Sequence, residues 1–439
     1  MELEALSIKN QKYSLFACRR FLPMFLATFL GTFNDNVLRS GLVVLIAYSS
    51  KHGIKLFADP EILVTLCSGL LVLPMVLFSS IAGQLADRYE KSRLLRFTKM
   101  AELFIMLSAA YGFYSQNIVL LMALLFISGT HSTFFVPIKF SILPQHLKHG
   151  ELLAGNGFIA SGGYLAILTG MMAGGLLVEG ANNIIGVVLL SVAICGFTSS
   201  LFVPLAPSAH PDTKIHLNLW RGSMEIIKHT MRDPILVRII LSLSWFIVVG
   251  SVFVGQIANY SRGIIHADNE VYIVFLTLFS LGMASGSLAC DSLLKGQIST
   301  RFTPVSALGV ALFTVLMVIF TPAPMGDELM TVTQFFSVPS HYIIVFCMVM
   351  VAVCGGVCMV PLYAALQDRT SPSHRSQIIA ASNLSDSICI TIATIASAIL
   401  LACGVGVADL FIIVGLITPA VAYYTRGIDD KPILPEAKP

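Results

Sequence analysis

Apolar runs of twenty residues or more follow one another along almost the whole chain, with charge confined to the short segments between them. Of 439 residues, 56% are hydrophobic and only 12% are charged, against roughly 25% charged in a soluble domain. So little polar surface cannot wrap a soluble core of this size. A bilayer removes the difficulty, because about 20 apolar residues in a helix cross it with every backbone group satisfied internally. The runs predict an all-α membrane protein with 12 spans, at 21–49, 61–86, 94–114, 118–141, 152–179, 183–205, 235–260, 270–293, 302–322, 341–367, 376–401 and 404–425. Only Cys403-Gly404-Val405-Gly406 divides the last two. The small net charge of +3 gives no sign of a nucleic-acid partner.

Basic residues set the orientation. With both termini cytoplasmic, all but five of the 27 Lys and Arg fall inside. Lys51, Lys55 and Arg262 are outside, and Arg39 and Lys139 lie within spans. The outer side carries acids: Asp59, Glu61, Glu179, Asp268, Glu270, Asp327 and Glu328. The longest polar interruption, 206–234, follows six spans and reads as a cytoplasmic linker between halves at 1–205 and 235–439. It carries Lys214, Arg221, Lys228 and Arg232, and within it 215–231 fits an amphipathic surface helix with Ile215, Leu219, Ile226 and Ile227 on the apolar side. The first apolar run is long and interrupted by polar residues, unlike a cleaved signal. Nine cysteines, mostly inside apolar runs, read as small buried hydrophobes. Cys354 and Cys358 are one turn apart but lack a His or acid at ligand spacing, so neither metal nor cofactor is expected.

Two features give the spans an order. Gly83-Gln84-Leu85-Ala86-Asp87-Arg88, followed by Lys91 and Arg93, sits at the inner end of span 2 and resembles the signature loop of the major facilitator superfamily. As a latch, Gly83 permits close helix approach, Asp87 stabilises a neighbouring helix N-terminus, and Arg88 and Arg93 pair with acids of a neighbouring segment; as a plain positive-inside loop it needs none of these. The second-half counterpart, Gly286 through Asp291 to Lys295 and Arg301, is degenerate. Val136-Pro137-Ile138 in span 4 is answered by Val360-Pro361-Leu362 in span 10, and Asn156 in span 5 by Asn383 in span 11. This faint repeat favours two parallel six-helix halves, the superfamily fold. Gly170-x-x-x-Gly174 in span 5 suits close packing, static or sliding.

A charge at mid-membrane costs about 2.5–3.5 kcal/mol on the lenient scale and so faces a cavity or a partner. Asp35 is the clearest case, flanked by Asn34 and Asn36, with Arg39 one turn on and in position to pair with it. That pair is either part of a site or a structural bridge. Lys139 follows Pro137 in span 4 and either enters a cavity or snorkels. Glu102 in span 3 is a coupling candidate or a partner of Lys99 or Arg96. Asp386, beside Asn383 in span 11, is a coupling candidate or a neutral packing residue. Gln256 and Asn259 in span 7 contact ligand or glue helices. His131 is a proton carrier or a core histidine. Both charge signs at depth suit a zwitterion.

Together Phe33-Asn34-Asp35-Asn36, Gly83-Gln84-Leu85-Ala86-Asp87, Pro137-Ile138-Lys139-Phe140-Ser141-Ile142-Leu143-Pro144, Asn156-Gly157, Gly355-Gly356 through Val360-Pro361-Leu362, Ala365-Leu366-Gln367 and Asn383-Leu384 resemble the lysophospholipid transporter family of that superfamily. The resemblance implies a flippase. It would move lysophosphatidylethanolamine-like lipids from the outer to the inner leaflet of the bacterial inner membrane, where an acyltransferase/acyl-carrier-protein synthetase partner rebuilds the diacyl lipid. Some members place an arginine in span 7; Gln256 is the nearest mid-span polar group here. No His-x4-Asp acyltransferase signature is present, and no enzyme is expected. The resulting site is Asn34, Asp35, Asn36, Arg39, Lys139, Gln256 and Asn383 for substrate, Gly83, Asp87, Arg88 and Arg93 for the latch, and Glu102 and Asp386 for coupling. The expected mechanism is alternating access, with ammonium near Asp35 and phosphate near Lys139 or Arg39. The rival readings are a proton-coupled exporter of drugs or small metabolites and a non-transporting membrane scaffold.

Overall fold

The computed structural model describes residues 15–49, 54, 56–179, 184–213, 215–216, 218–322 and 329–428; of positions 61, 179, 219–221, 225 and 229 only the backbone is described. Among these residues the regular secondary structure is helical, apart from one isolated bridge between Ala267 and Met330. The helices are α1 Leu22–Ala47, α2 Pro60–Arg88, α3 Lys91–Tyr114, α4 Ile118–His146, α5 Leu152–Glu179, α6 Ile184–Leu201, α7 Leu219–Thr230, α8 Pro234–Gly263, α9 Asn269–Leu294, α10 Thr303–Ile319, α11 Val332–Ser337, α12 Pro339–Arg369, α13 Arg375–Ala402 and α14 Val407–Thr425. Each expected span therefore has its helix. Nine of the described helices are long and apolar enough to cross a membrane, and α10 is a shorter apolar one. The remaining long pair, α1 and α3, carries the polar residues singled out above: Asn34, Asp35, Asn36 and Arg39 on α1, and Glu102 with Lys99 on α3.

Helix ends differ from the apolar runs where a charge is locally satisfied. α2 continues through Asp87 and Arg88, so most of the expected signature loop is helical. α3 begins already at Lys91, because the Glu90 carboxylate accepts from the backbone N–H of Ser92 (3.0 Å) and Arg93 (2.8 Å). α4 runs on to His146 with Pro137 and Pro144 inside it. The amphipathic helix is shorter than expected and starts at Leu219; Ile226 is buried and Ile227 half-buried on its inner side, while Lys228 is exposed. Between α13 and α14 the chain turns at Gly404, whose φ of +87° favours a residue without Cβ. The expected outer residues Lys51, Lys55, Asp327 and Glu328, and Lys214 of the linker, lie outside the described residues.

The contacts divide the chain into two compact units. The first comprises 1–155, 165–230 and 370–387, and the second 156–164, 231–369 and 388–439. In the first, α1 packs on α6, α4 and α2, α3 on α6 and α4, and α2 on α4 and α7. Val37, Leu38 and Leu42 of α1 meet Met106 and Ala109 of α3, Leu121 and Leu125 of α4, and Leu189 and Ala193 of α6. Gly170 and Gly174 of α5 lie against α1 so closely that a Cβ on either would stand 2.6 Å from the carbonyl oxygen of Phe33 or Val37. In the second unit, α9 and α10 pack on α12, and α8 packs on α12, α14 and α9. Its core is aromatic: the Phe253 ring stacks on Phe411 at 4.6 Å, and Tyr260 meets Phe411 edge-on at 5.5 Å. Outward-facing side chains such as Phe104, Leu176 and Ile399 are exposed and apolar, as lipid contact requires.

Candidate functional site

In the first unit, α1, α3 and α4 bring polar groups together inside an apolar bundle. Asp35 is half-buried, and its two carboxylate oxygens accept from Ser128 Oγ (2.5 Å) and Ser132 Oγ (2.6 Å). The two serines are four residues apart on α4, hence on one face. Their hydroxyls stabilise the ionised carboxylate and fix its direction. A carboxylate has about four acceptor positions, so two remain for a ligand's N–H donors. Arg39, expected as the partner of Asp35, donates instead to Ser68 Oγ on α2 at 3.2 Å. The hydroxyls offered by α4 lie across from Asp35 on a packed helix, whereas Arg39 has α2 beside it.

Asn34 is fully buried; its amide reaches the Leu189 carbonyl of α6 (3.1 Å) and Glu102 Oε1 (3.5 Å). Asn36 is satisfied on its own helix by the Thr32 carbonyl at 2.8 Å. Lys99 Nζ donates to Glu102 Oε2 at 2.6 Å, with both side chains 1% exposed. This corrects the placing of Lys99 among cytoplasmic residues: it is a buried cation of α3. His131 Nε2 lies 3.8 Å from Glu102 Oε2. Lys139 is half-buried with Nζ 4.8 Å above the Phe140 ring, and interacts electrostatically with Asp35 and Lys99. It shares the Ser128–Ser132 face of α4, seven residues beyond Ser132, about 10.5 Å of helix.

The other expected contacts have partners within their own units. Asn383 of α13 donates to Ser79 Oγ of α2 at 3.2 Å, and Asp386, one turn on, is buried. Gln256 belongs to the second unit and accepts from Asn259 on its own helix at 2.8 Å. Asn156 and Gln367 of that unit exchange two hydrogen bonds, at 2.7 and 3.1 Å.

At the end of α2, Asp87 accepts from the backbone N–H groups of Ser376 (3.0 Å) and Gln377 (3.2 Å) in the first turn of α13. A Cβ at Gly83 would stand 2.7 Å from that of Ala380, so glycine sets this close approach. Arg88 stacks on the Tyr89 ring at 5.6 Å, and exposed Arg93 has its acid, Glu90, on its own helix at 3.7 Å. Among the described residues, neither arginine pairs with an acid of a neighbouring segment, as the latch reading has it. The buried cation here is Lys91, 1% exposed, whose ammonium reaches the Pro207 carbonyl at 3.5 Å. The linker is stitched to this corner: Ala206 N–H donates to Glu90 (2.8 Å), His210 N–H to the Asp87 carbonyl (3.1 Å) and His216 N–H to Gln84 Oε1 (2.7 Å). Partial burial raises the Glu90 carboxyl, but the hydrogen bonds from Ser92, Ala206 and Arg93 outweigh it and hold the group below its ordinary range.

Of the two partners the sequence offers Glu102, Lys99 takes it; the sequence reading missed Ser128 and Ser132. Their signal was spacing: two serines one turn apart in a largely apolar helix.

Comparison with known proteins agrees with this architecture. The Major Facilitator Superfamily model matches residues 24–394. Among curated proteins, lysophospholipid transporter LplT of Escherichia coli (strain K12 / DH10B) is 24% identical over 374 residues, 82% of this chain and 83% of that one. The protein of the same name from Shigella boydii serotype 4 (strain Sb227) matches with the same identity and coverage. Among solved structures, the human organic anion transporter MFSD10 aligns with a TM-score of 0.71 at 14% identity, covering 93% of this chain and 99% of that one. The proton:xylose symporter XylE aligns with a TM-score of 0.64 at 11% identity, covering 95% and 96%.

Proposed function

The chain belongs to the major facilitator superfamily, and from that premise we propose that it carries lysophospholipids across a bacterial inner membrane. The observation that carries this reading is relationship at length: proteins named as lysophospholipid transporters match 82% of the chain and are themselves covered over 83%. The polar group of the first unit is the second support. A lysophosphatidylethanolamine headgroup presents one ammonium and one phosphate. Asp35 has acceptor positions left over, and Lys139, on the same face of α4, offers a half-buried ammonium. The ammonium binds at Asp35 and the phosphate at Lys139 or Arg39. The single acyl chain lies against apolar helix faces, where each buried CH2 contributes about 0.8 kcal/mol. Movement is by alternating access, from the outer to the inner leaflet, where an acyltransferase restores the second chain.

The test is reconstitution into liposomes with labelled lysophosphatidylethanolamine, its diacyl parent and lysophosphatidylcholine. Wild type moves the single-chain ethanolamine lipid and excludes the diacyl form. Asp35→Ala inserts normally and loses at least about tenfold in rate, the equivalent of about 1.4 kcal/mol. Wild-type flux in Asp35→Ala removes Asp35 from the site, and absence of lysolipid flux in the wild type removes the substrate class.

A further inference from the structure

The buried region of the first unit holds more charge than a headgroup contact requires. Glu102 accepts from Lys99 at 2.6 Å and is approached by Asn34 at 3.5 Å. His131, 8% exposed, points Nε2 at the same carboxylate from 3.8 Å. Its ring stacks on Phe135 at 6.1 Å, and Lys99 Nζ stands 4.9 Å above that same ring. Neither ring nitrogen of His131 makes a hydrogen bond of good geometry with any described residue, although the Thr98 backbone is beside it. An imidazole enclosed this way, with a carboxylate just beyond contact, is short of a bond that a small rotation and one added proton would supply.

The charges facing His131 are Glu102 and Lys99 from α3 and Asp35 from α1. Two of the three are negative. Lys139, farther along α4, faces Asp35 and Lys99. Asp35 of α1 lies against the turn of α4 that carries His131, since the hydroxyls on Asp35 come from Ser128 and Ser132, three residues before His131 and one after it. A proton on His131 is attracted by Glu102 and Asp35 and repelled by Lys99. An ammonium arriving at Asp35 draws on one of the same two carboxylates. Two cations held this close repel each other in a low-dielectric interior, so each disfavours the other.

We propose that His131, with Glu102 beside it, is a proton-binding site whose proton is displaced when an ammonium headgroup binds at Asp35, so that binding of such a lipid is linked to proton release. The inference rests on the headgroup reading given above. The proton leaves an imidazole nitrogen for water, and the imidazole becomes neutral; no other bond changes. Linkage then requires the apparent Kd for the ammonium lipid to weaken with acid by up to about tenfold per pH unit. An anionic lysolipid without an ammonium has no such dependence.

The test is calorimetry of the purified full chain in detergent, with lysophosphatidylethanolamine and lysophosphatidylglycerol, between about pH 5.5 and 8, in buffers of differing ionisation heat. The expected result is release approaching one proton per ethanolamine lipid bound and none for the glycerol lipid. His131→Gln binds the ethanolamine lipid without release and with a flat pH profile. Binding of the ethanolamine lipid by wild type with no release anywhere in the range overturns the proton site and leaves the transport reading standing. Equal release by the two lipids, or undiminished release by a folded His131→Gln, also overturns it. Failure of wild type to bind the ethanolamine lipid overturns the functional reading itself, and the inference with it.

Discussion

Glu102→Gln removes one charge and almost no volume from the Lys99–Glu102 pair. Both side chains are 1% exposed and the ammonium–carboxylate distance is 2.6 Å, so water contributes little to solvating either partner. Breaking a buried pair by deleting one member costs about 3–5 kcal/mol, chiefly because the other charge is stranded. The amide oxygen of Gln can still accept from Lys99, and a stranded ammonium can shed its proton, so the lower end, about 3 kcal/mol, is expected. The double variant Lys99→Met/Glu102→Gln strands nothing and stays within about 1–2 kcal/mol of wild type. Reversible unfolding in mixed micelles of wild type, both single variants and the double variant closes a double-mutant cycle, with an expected coupling of about 2 kcal/mol or more. A Glu102→Gln protein as stable as wild type, or a double variant no more stable than Glu102→Gln, refutes the account of a buried ion pair.

Asp87→Asn, which weakens three acceptor contacts to Ser376 and Gln377, lowers stability by about 1.5–3 kcal/mol, whereas Arg88→Ala, which removes only a stack on Tyr89, costs at most about 1 kcal/mol; equal losses in chemical denaturation would show that the arginine shares the carboxylate's role. For Glu90 the folded carboxyl is held below its ordinary value of 4.5, so its contribution is complete above that value and is lost as pH falls through the folded one. The stability gap between wild type and Glu90→Ala therefore narrows on acidification below about pH 4.5, and a gap that widens contradicts the hydrogen-bond assignment.

The fold was legible because lipid imposes one rule on every span: a helix of fixed minimum length with an apolar exterior. Even the weakest division, at Gly404, is realised as a left-handed turn. The site was legible only in part. Asp35, Glu102 and Lys139 stand out because charge inside an apolar run is costly. What each charge meets depends on which helices pack together, and sequence spacing does not report that. Arg39 is one turn from Asp35 yet donates to Ser68 of α2, and the groups on Asp35 come from residues 93 and 97 positions away. Spacing offers both Lys99 and Arg96 to Glu102; that Lys99 takes it, buried, follows from α3 packing on α4 and α6. At Arg88 and Arg93 the motif allows long-range partners, whereas the contacts found are with the nearest residues, Tyr89 and Glu90.

Between α6 and α7 the described residues of the linker form a strap, anchored at Ala206, His210 and His216 to Glu90, Asp87 and Gln84. This bears on where the polypeptide tolerates being cut. Scission inside the strap, or a reporter domain inserted there, tears away backbone donors on which the end of α2 and the start of α3 depend. The short stretch 231–233, just past α7 and ahead of α8, leaves every one of those anchors in place. Two fragments meeting at that point should reassemble when co-expressed, whereas a pair divided near His210 should not.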